Sequence, residues 1–168
     1  MRVVLGGLIY LVLLGCSNES ERLFHLPENA KAMVSGDSIK TWKIARRFNN
    51  GTRMNMGDCF IAHRQSFTFS GDFNTSSKGR MDDCGEPMIG KWSFVKDAEG
   101  GFYIKLNSDQ IPEMMNIEED FKLFRIKKLT DSLMILQFNH AQTTQKRTTL
   151  VDYFVPENLK VDDRKFHW

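Results

Sequence analysis

Several features that would identify an enzyme or a nucleic-acid-binding protein are missing from this sequence of 168 residues. Lys and Arg total 23 and Asp and Glu total 21, so no broad excess of one charge attracts nucleic acid. No zinc-protease, serine-hydrolase or phosphate-loop motif is present. The histidines lie in separate segments, at His25, His63, His140 and His167. We therefore expect no catalysis, no cofactor, no metal site and no nucleic-acid partner.

The composition favours strands over helices. Alanine is scarce for a helical protein, whereas the chain contains 13 Phe, 3 Tyr and 3 Trp, residue types that are enriched in strands. The length is sufficient for one domain with a hydrophobic core and short for two. One folded β-domain is the resulting expectation.

Residues 1–15 predict a signal peptide. Arg2 supplies a positive charge, and residues 3–14 are apolar apart from two glycines. A helix of that length spans roughly 18 Å, against about 30 Å for the hydrocarbon core of a bilayer. The apolar run is therefore too short to serve as a permanent membrane span.

The end of this segment, Leu13-Leu14-Gly15-Cys16, resembles the bacterial lipobox. The resemblance implies that Cys16 carries a lipid anchor after cleavage and that residues 16–36 form a tether. Ser17, rather than Asp, at the second position of the mature chain implies sorting to the cell outer membrane, with the side of that membrane left open. The alternative is an ordinary signal peptide followed by a chance cysteine.

Cysteine is scarce, with 3 residues in the chain. Lipidation of Cys16 leaves Cys59 and Cys84 in a protein that has left the reducing cytosol, which predicts a disulfide. A metal pair or a reactive thiol is the alternative. Either would need further ligands or partners, and only His63 is near.

From residue 38 onward, short segments alternate apolar and polar residues and are separated by Gly, Asn and Asp. The predicted strands are residues 38–48, 52–56, 64–70, 73–81, 89–95, 102–106, 121–129, 133–138 and 147–155. A short helix over residues 28–34 precedes them, and residues 107–120 form the longest connection, a possible lid. The prediction is all-β: an up-and-down antiparallel β-barrel of about eight strands over residues 37–158, with a tail at 159–168. A two-sheet sandwich is the alternative.

The order of several short motifs resembles that of bacterial lipocalin-like lipoprotein domains. The motifs are Lys40-Thr41-Trp42-Lys43-Ile44, Cys59, Phe67-Thr68-Phe69, Cys84, Gly90-Lys91-Trp92 and the strand at 121–129 followed by Thr130 to Leu133. One departure is His63-Arg64, where that family often has acidic residues. The resemblance implies a barrel with a cavity for a small apolar molecule and implies no catalysis.

Large apolar residues that we expect to point into the barrel are the candidate ligand contacts. They are Trp42, Phe67, Phe69, Trp92, Phe94, Phe102 and Ile104, joined by Met114 and Met115 from the long connection; Leu123 and Phe48 are also expected to point inward. Because these side chains are bulky, a filled interior is the alternative. The leading hypothesis is a membrane-anchored lipocalin-like lipoprotein that binds a small hydrophobic ligand. The competing hypothesis is a non-enzymatic accessory subunit that docks on another cell-envelope protein.

Overall fold

The computed structural model describes residues 24–77, 84–141 and 147–164. Predictions for the signal peptide, Cys16, the first part of the tether, residues 78–81 of the predicted strand 73–81 and the last four residues lie outside this range. The helices are α1 (Ala30–Ser35), α2 (Asp58–Ala62) and α3 (Ile111–Met115). The strands are β1 (Ile39–Asn49), β2 (Thr52–Arg53), β3 (Arg64–Thr68), β4 (Asp72–Ser76), β5 (Ile89–Lys96), β6 (Phe102–Asn107), β7 (Phe121–Leu129), β8 (Met134–Ala141) and β9 (Arg147–Pro156). None of the helices in these ranges is long and apolar enough to cross a membrane.

The strands close into an antiparallel barrel. From β3 to β9 each strand pairs with the next, β1 pairs with β3, and the β1–β9 pairing closes the ring. The two-residue β2 pairs with the end of β1 and lies outside the ring of eight. This is the up-and-down arrangement of lipocalins. The predicted fold class is confirmed and the sandwich is excluded.

Helix α1 closes one end of the barrel, which we call the closed end. Ala30 and Val34 are buried, and the indole N–H of Trp42 donates a hydrogen bond of 2.8 Å to the carbonyl oxygen of Val34. Gly36, at φ 62°, ends the helix with a conformation that other residues rarely adopt. The predicted helix is present. Its apolar side is buried against the barrel, ahead of the predicted start of the barrel domain at residue 37.

A bulge in β1 changes which of its side chains face inward. The register between β1 and β9 shifts between Ile44 and Arg46. An extra residue reverses the alternation of a strand, so Arg47 lies inside beyond the bulge. Arg46 is half exposed, with 48% of its side chain accessible. Phe48 packs against the Tyr153 ring at 5.4 Å, so its predicted inward position was wrong.

The half of the barrel next to α1 is filled with side chains. The rings of Phe67 and Trp92 meet edge to face at 5.5 Å, and Trp92 meets Phe94 in the same way at 5.4 Å. Trp42 and Phe67 are completely buried. Burial of a large apolar side chain contributes about 1.5–3 kcal/mol, so this layer supplies much of the stability of the domain.

The described part of the predicted C-terminal tail lies against the barrel. The Arg164 guanidinium donates hydrogen bonds of 2.8 Å to the carbonyl oxygens of Ile44 and Ile61. Asp163 forms ion pairs with Arg46 and Arg53 at 3.0 and 3.2 Å. Ile44 lies at the bulge, where the ladder is irregular, so Arg164 satisfies a carbonyl oxygen there.

Candidate ligand cavity

The end of the barrel opposite α1, which we call the open end, contains a cavity of about 550 Å³. Ile44 and Phe154 are paired across β1 and β9 and line the cavity where it meets the filled half. Phe60 of α2 and Met114 of α3 line it at the rim, and they are 40% and 50% exposed. Ligand cavities in proteins have volumes of about 300–1,000 Å³, so this space can take one small molecule.

Two short helices shape the rim, and local sequence explains both. Helix α2 begins after Gly57 and carries Asp58 in its first turn, where a carboxylate is favoured by the helix dipole. Helix α3 has Pro112 in its first turn and ends at Asn116, which adopts the left-handed conformation at φ 50°. The predicted long connection therefore contains a helix that brings Met114 to the cavity.

The Cys59–Cys84 disulfide is present, as predicted, with a Cα–Cα distance of 5.3 Å. Cys59 belongs to α2, and Cys84 lies in the segment that leads to β5. Both residues line the cavity. The disulfide therefore fixes α2 at the rim.

A buried ion pair between neighbouring strands β1 and β9 lines the cavity. The Arg47 guanidinium donates two hydrogen bonds to the Asp152 carboxylate, at 2.6 and 2.5 Å. The side chains are only 13% and 3% exposed. Burial raises the pKa of the Asp152 carboxyl above its ordinary value, although the hydrogen bonds from Arg47 oppose the shift. The guanidinium carbon also lies 4.5 Å from the centre of the Phe60 ring. The pair therefore holds two charges beside the ligand space at a desolvation cost.

His63 lines the cavity as a neutral imidazole at neutral pH. Burial, together with the nearby positive charges of Arg47 and Arg64, lowers its pKa from 6.5 to about 4. Arg64 is itself held in place, since its guanidinium donates to the carbonyl oxygens of Ile61 and Ala62 at 2.8 and 2.9 Å. His63 therefore adds hydrogen-bonding capacity without adding charge.

The low pKa of His63 predicts loss of stability in acid. Between pH 6.5 and about 4 the unfolded chain binds a proton at this position that the folded protein does not, so stability falls as the pH drops through that window. We expect the free energy of unfolding to fall by about 2–2.5 kcal/mol more in the wild type than in His63→Gln between pH 7 and pH 4.5. Urea unfolding at the two pH values measures this difference. An equal loss in both proteins would contradict it.

Further polar groups line the cavity without giving it a net charge. Two basic side chains, Arg47 and Lys122, are matched by two acidic ones, Glu86 and Asp152, among the described lining residues. The side-chain oxygen of Asn49 is buried and has no hydrogen-bond partner among the described residues. An unsatisfied buried acceptor costs about 1–3 kcal/mol, which a donor group on a ligand would offset.

The structure separates the predicted ligand contacts into three groups. Met114 and Met115 line the cavity. Trp42, Phe67, Trp92 and Ile104 are buried in the core, and Phe94 and Phe102 pack against that core without lining the cavity. Phe69 is 44% exposed at the closed end, because β3 ends one residue before it. The aromatic residues chosen from the sequence thus mainly fill the barrel rather than surround the cavity.

Several cavity residues were missed by the sequence analysis. Leu123 was predicted to face inward, but it is 38% exposed on the outer wall, and its neighbour Phe124 lines the cavity instead. Asp152 carried a signal that was overlooked. It alternates in phase with Leu150 and Phe154 on β9, so the pattern predicts a carboxylate on the apolar, inward face of this strand.

No protein-family model and no curated protein sequence matches this chain. Among solved structures, a lipocalin-like protein from Bacteroides uniformis ATCC 8492 is similar, with a TM-score of 0.49 and 14% sequence identity over 73% of this chain and 97% of that one. The fold class of this protein, a closed up-and-down barrel of the lipocalin-like kind, follows from its own strand pairing.

Proposed function

We propose that this protein binds one small, largely apolar molecule in the open end of its barrel. The observation that carries the proposal is the cavity of about 550 Å³, enclosed by strands and by two helices that are held at the rim. A barrel of eight strands is just wide enough either to be filled by side chains or to hold one small ligand. Here the aromatic residues fill one half, and the other half retains space. The proposal includes no catalytic step.

The lining indicates the kind of molecule. Met54, Met88, Phe124 and Phe138 offer apolar and thioether surface, and thioethers adapt easily to the shape of a ligand. The balance of basic and acidic side chains does not favour a strongly charged ligand. The free acceptor of Asn49 favours a ligand with a hydroxyl or amine donor. The proposed ligand is therefore an uncharged amphipathic molecule.

Mass spectrometry tests the proposal directly. The protein is purified from the membranes of cells that make it, and its intact mass is measured under native and denaturing conditions. We expect a bound small molecule, present in about equimolar amount under native conditions, that is released on unfolding. A protein that carries no small molecule and binds no neutral apolar probe would contradict the proposal.

The proposal also places the protein on a membrane. The apolar run before Cys16 and its lipobox-like ending support cleavage and lipidation at that cysteine, and Ser17 supports sorting to the outer membrane. A single acyl chain gives only marginal membrane binding, whereas several chains on one residue anchor a protein stably. The barrel would then be held at the surface through a short N-terminal tether.

Replacing Cys16 by alanine tests the anchor. We expect Cys16→Ala to leave the precursor without lipid, because the thiol that accepts the lipid is gone, and the signal segment to remain uncleaved. Labelling with a radioactive fatty acid and the intact mass of the purified protein measure both effects. Asn18→Ala serves as the control, because it changes a nearby residue and leaves the Cys16 thiol in place. A Cys16→Ala protein that is processed and labelled like the wild type would contradict the assignment.

A further inference from the structure

We infer that the closed end of the barrel rests on the bilayer that anchors the chain, so that the cavity opens away from this bilayer. The inference rests on the lipid anchor proposed for Cys16. Beyond the proposed function, this arrangement defines the orientation of the domain on the membrane, the surface that contacts lipid and the side from which a ligand enters.

The chain enters the folded domain at the closed end. Phe24 packs edge to face against Phe102, with ring centres 6.5 Å apart, and Phe102 follows the turn between β5 and β6 at that end. Leu26 and Met33 pack against the core nearby. Eight peptide steps separate Cys16 from Phe24. At roughly 3.3–3.6 Å per step, this part of the chain spans at most about 29 Å.

This tether is barely as long as the barrel is high, so it could bring the open end to the bilayer only if it were fully extended. Strand β1 contains 11 residues. With a rise of about 3.3 Å per residue and a tilt of about 40°, it gives the barrel a height of roughly 25–28 Å. Helices α2 and α3 add to this height at the open end. The tether would have to run fully extended along the whole wall, whereas any slacker path leaves the closed end nearest to the lipid.

The closed end also exposes apolar side chains. Ile39 is 55% exposed and Phe69 is 44% exposed. Their backbones adjoin at this end, where the Phe69 N–H donates to the carbonyl oxygen of Ser38 at 2.8 Å. The Lys31 ammonium lies 4.7 Å from the centre of the Phe69 ring. An exposed aromatic ring beside a lysine, with an exposed aliphatic side chain at the same end, suits the boundary between headgroups and acyl chains.

Two exposed apolar residues would bind a membrane weakly on their own. A tether of a few residues raises the effective concentration of the bilayer to about the millimolar range or above, so a weak contact suffices to orient the domain. The occupant of this patch is therefore the surface of the anchoring bilayer. A ligand then reaches the cavity from the aqueous side, because the mouth faces that side.

Fluorescence quenching by lipid tests the orientation. The lipidated protein is reconstituted into phosphatidylcholine vesicles after mass spectrometry has verified the acyl chains on Cys16. One variant carries a thiol-reactive dye at Ser132→Cys, in the turn between β7 and β8 at the closed end; the other carries it at Glu113→Cys on α3 at the open end. Both positions are exposed. The vesicles contain phosphatidylcholine with a nitroxide on its headgroup.

We expect at least threefold stronger quenching at position 132 than at position 113. Adding Ile39→Ser and Phe69→Ser should reduce this difference, whereas Ile89→Ser should not, because Ile89 is as exposed, at 63%, but begins β5 at the open end. Equal quenching at the two positions, or stronger quenching at 113, would overturn the orientation while leaving the anchor intact. Absence of acyl chains on Cys16 would overturn the anchor and the orientation together.

Discussion

Replacing Asp152 by alanine is expected to lower the free energy of unfolding by about 3–5 kcal/mol. The substitution removes both hydrogen-bond acceptors of the Arg47 guanidinium, whose side chain is only 13% exposed. A buried charge without its partner loses the Coulomb attraction that offset its desolvation. Denaturation by urea, followed through circular dichroism, measures the change.

The exposed pair of Lys160 and Asp162 provides a matched control. Its atoms are 3.2 Å apart and its side chains are more than 80% exposed, so Asp162→Ala should cost less than about 0.5 kcal/mol. A double variant, Arg47→Met with Asp152→Leu, should recover most of the stability lost in Asp152→Ala, because no unpaired charge remains. A loss below about 1 kcal/mol in Asp152→Ala would contradict the buried pair.

Removing the disulfide is expected to have the second-largest effect on stability. The bond joins residues 25 positions apart, and loops of similar length restrict the unfolded chain by about 3 kcal/mol. We expect Cys59→Ala combined with Cys84→Ala to lower the free energy of unfolding by that amount. Denaturation of the double variant and of the wild type with a reducing agent should agree with each other. A double variant as stable as the oxidised wild type would contradict the expectation.

The barrel was predictable because its physical signals are local. Alternation of apolar and polar residues marks each strand, and turns such as Asn50-Gly51, both with positive φ, separate them. The disulfide followed from counting cysteines in a chain that was expected to be exported. Helix α2 was missed because five residues are too few to show a helical period.

The residues that line the cavity could not be predicted from the sequence, because the lining depends on where the alternation of a strand is interrupted. The bulge in β1 brings Arg47 inside, and a second irregularity, between Ile126 and Lys128, shifts the register of β7 against β8. Neither has a reliable signature in the residues themselves. The bulky aromatic residues predicted as ligand contacts lie mainly in the core for a related reason: large side chains that fit a strand also fill the space between strands.

The orientation of side chains at strand ends could not be predicted from the sequence either. Phe69 has the phase of Phe67 but lies beyond the last paired residue of β3, so its ring emerges at the closed end. Alternation predicts which face a residue takes and not where the strand stops. Phe69, which was predicted as a ligand contact, is part of the proposed lipid contact.

The central claim is that the open half of the barrel holds a ligand, and titration with the neutral fluorescent probe N-phenyl-1-naphthylamine tests it most directly. Thr148 lines the cavity and is 7% exposed, whereas its neighbour Thr149 lies on the opposite face of β9. We predict that the wild type binds the probe saturably at one site. The affinity should fall at least tenfold in Thr148→Trp, which corresponds to about 1.4 kcal/mol of binding free energy, and should be unchanged in Thr149→Trp. No saturable binding by the wild type, or equal affinity in all three proteins, would contradict the claim.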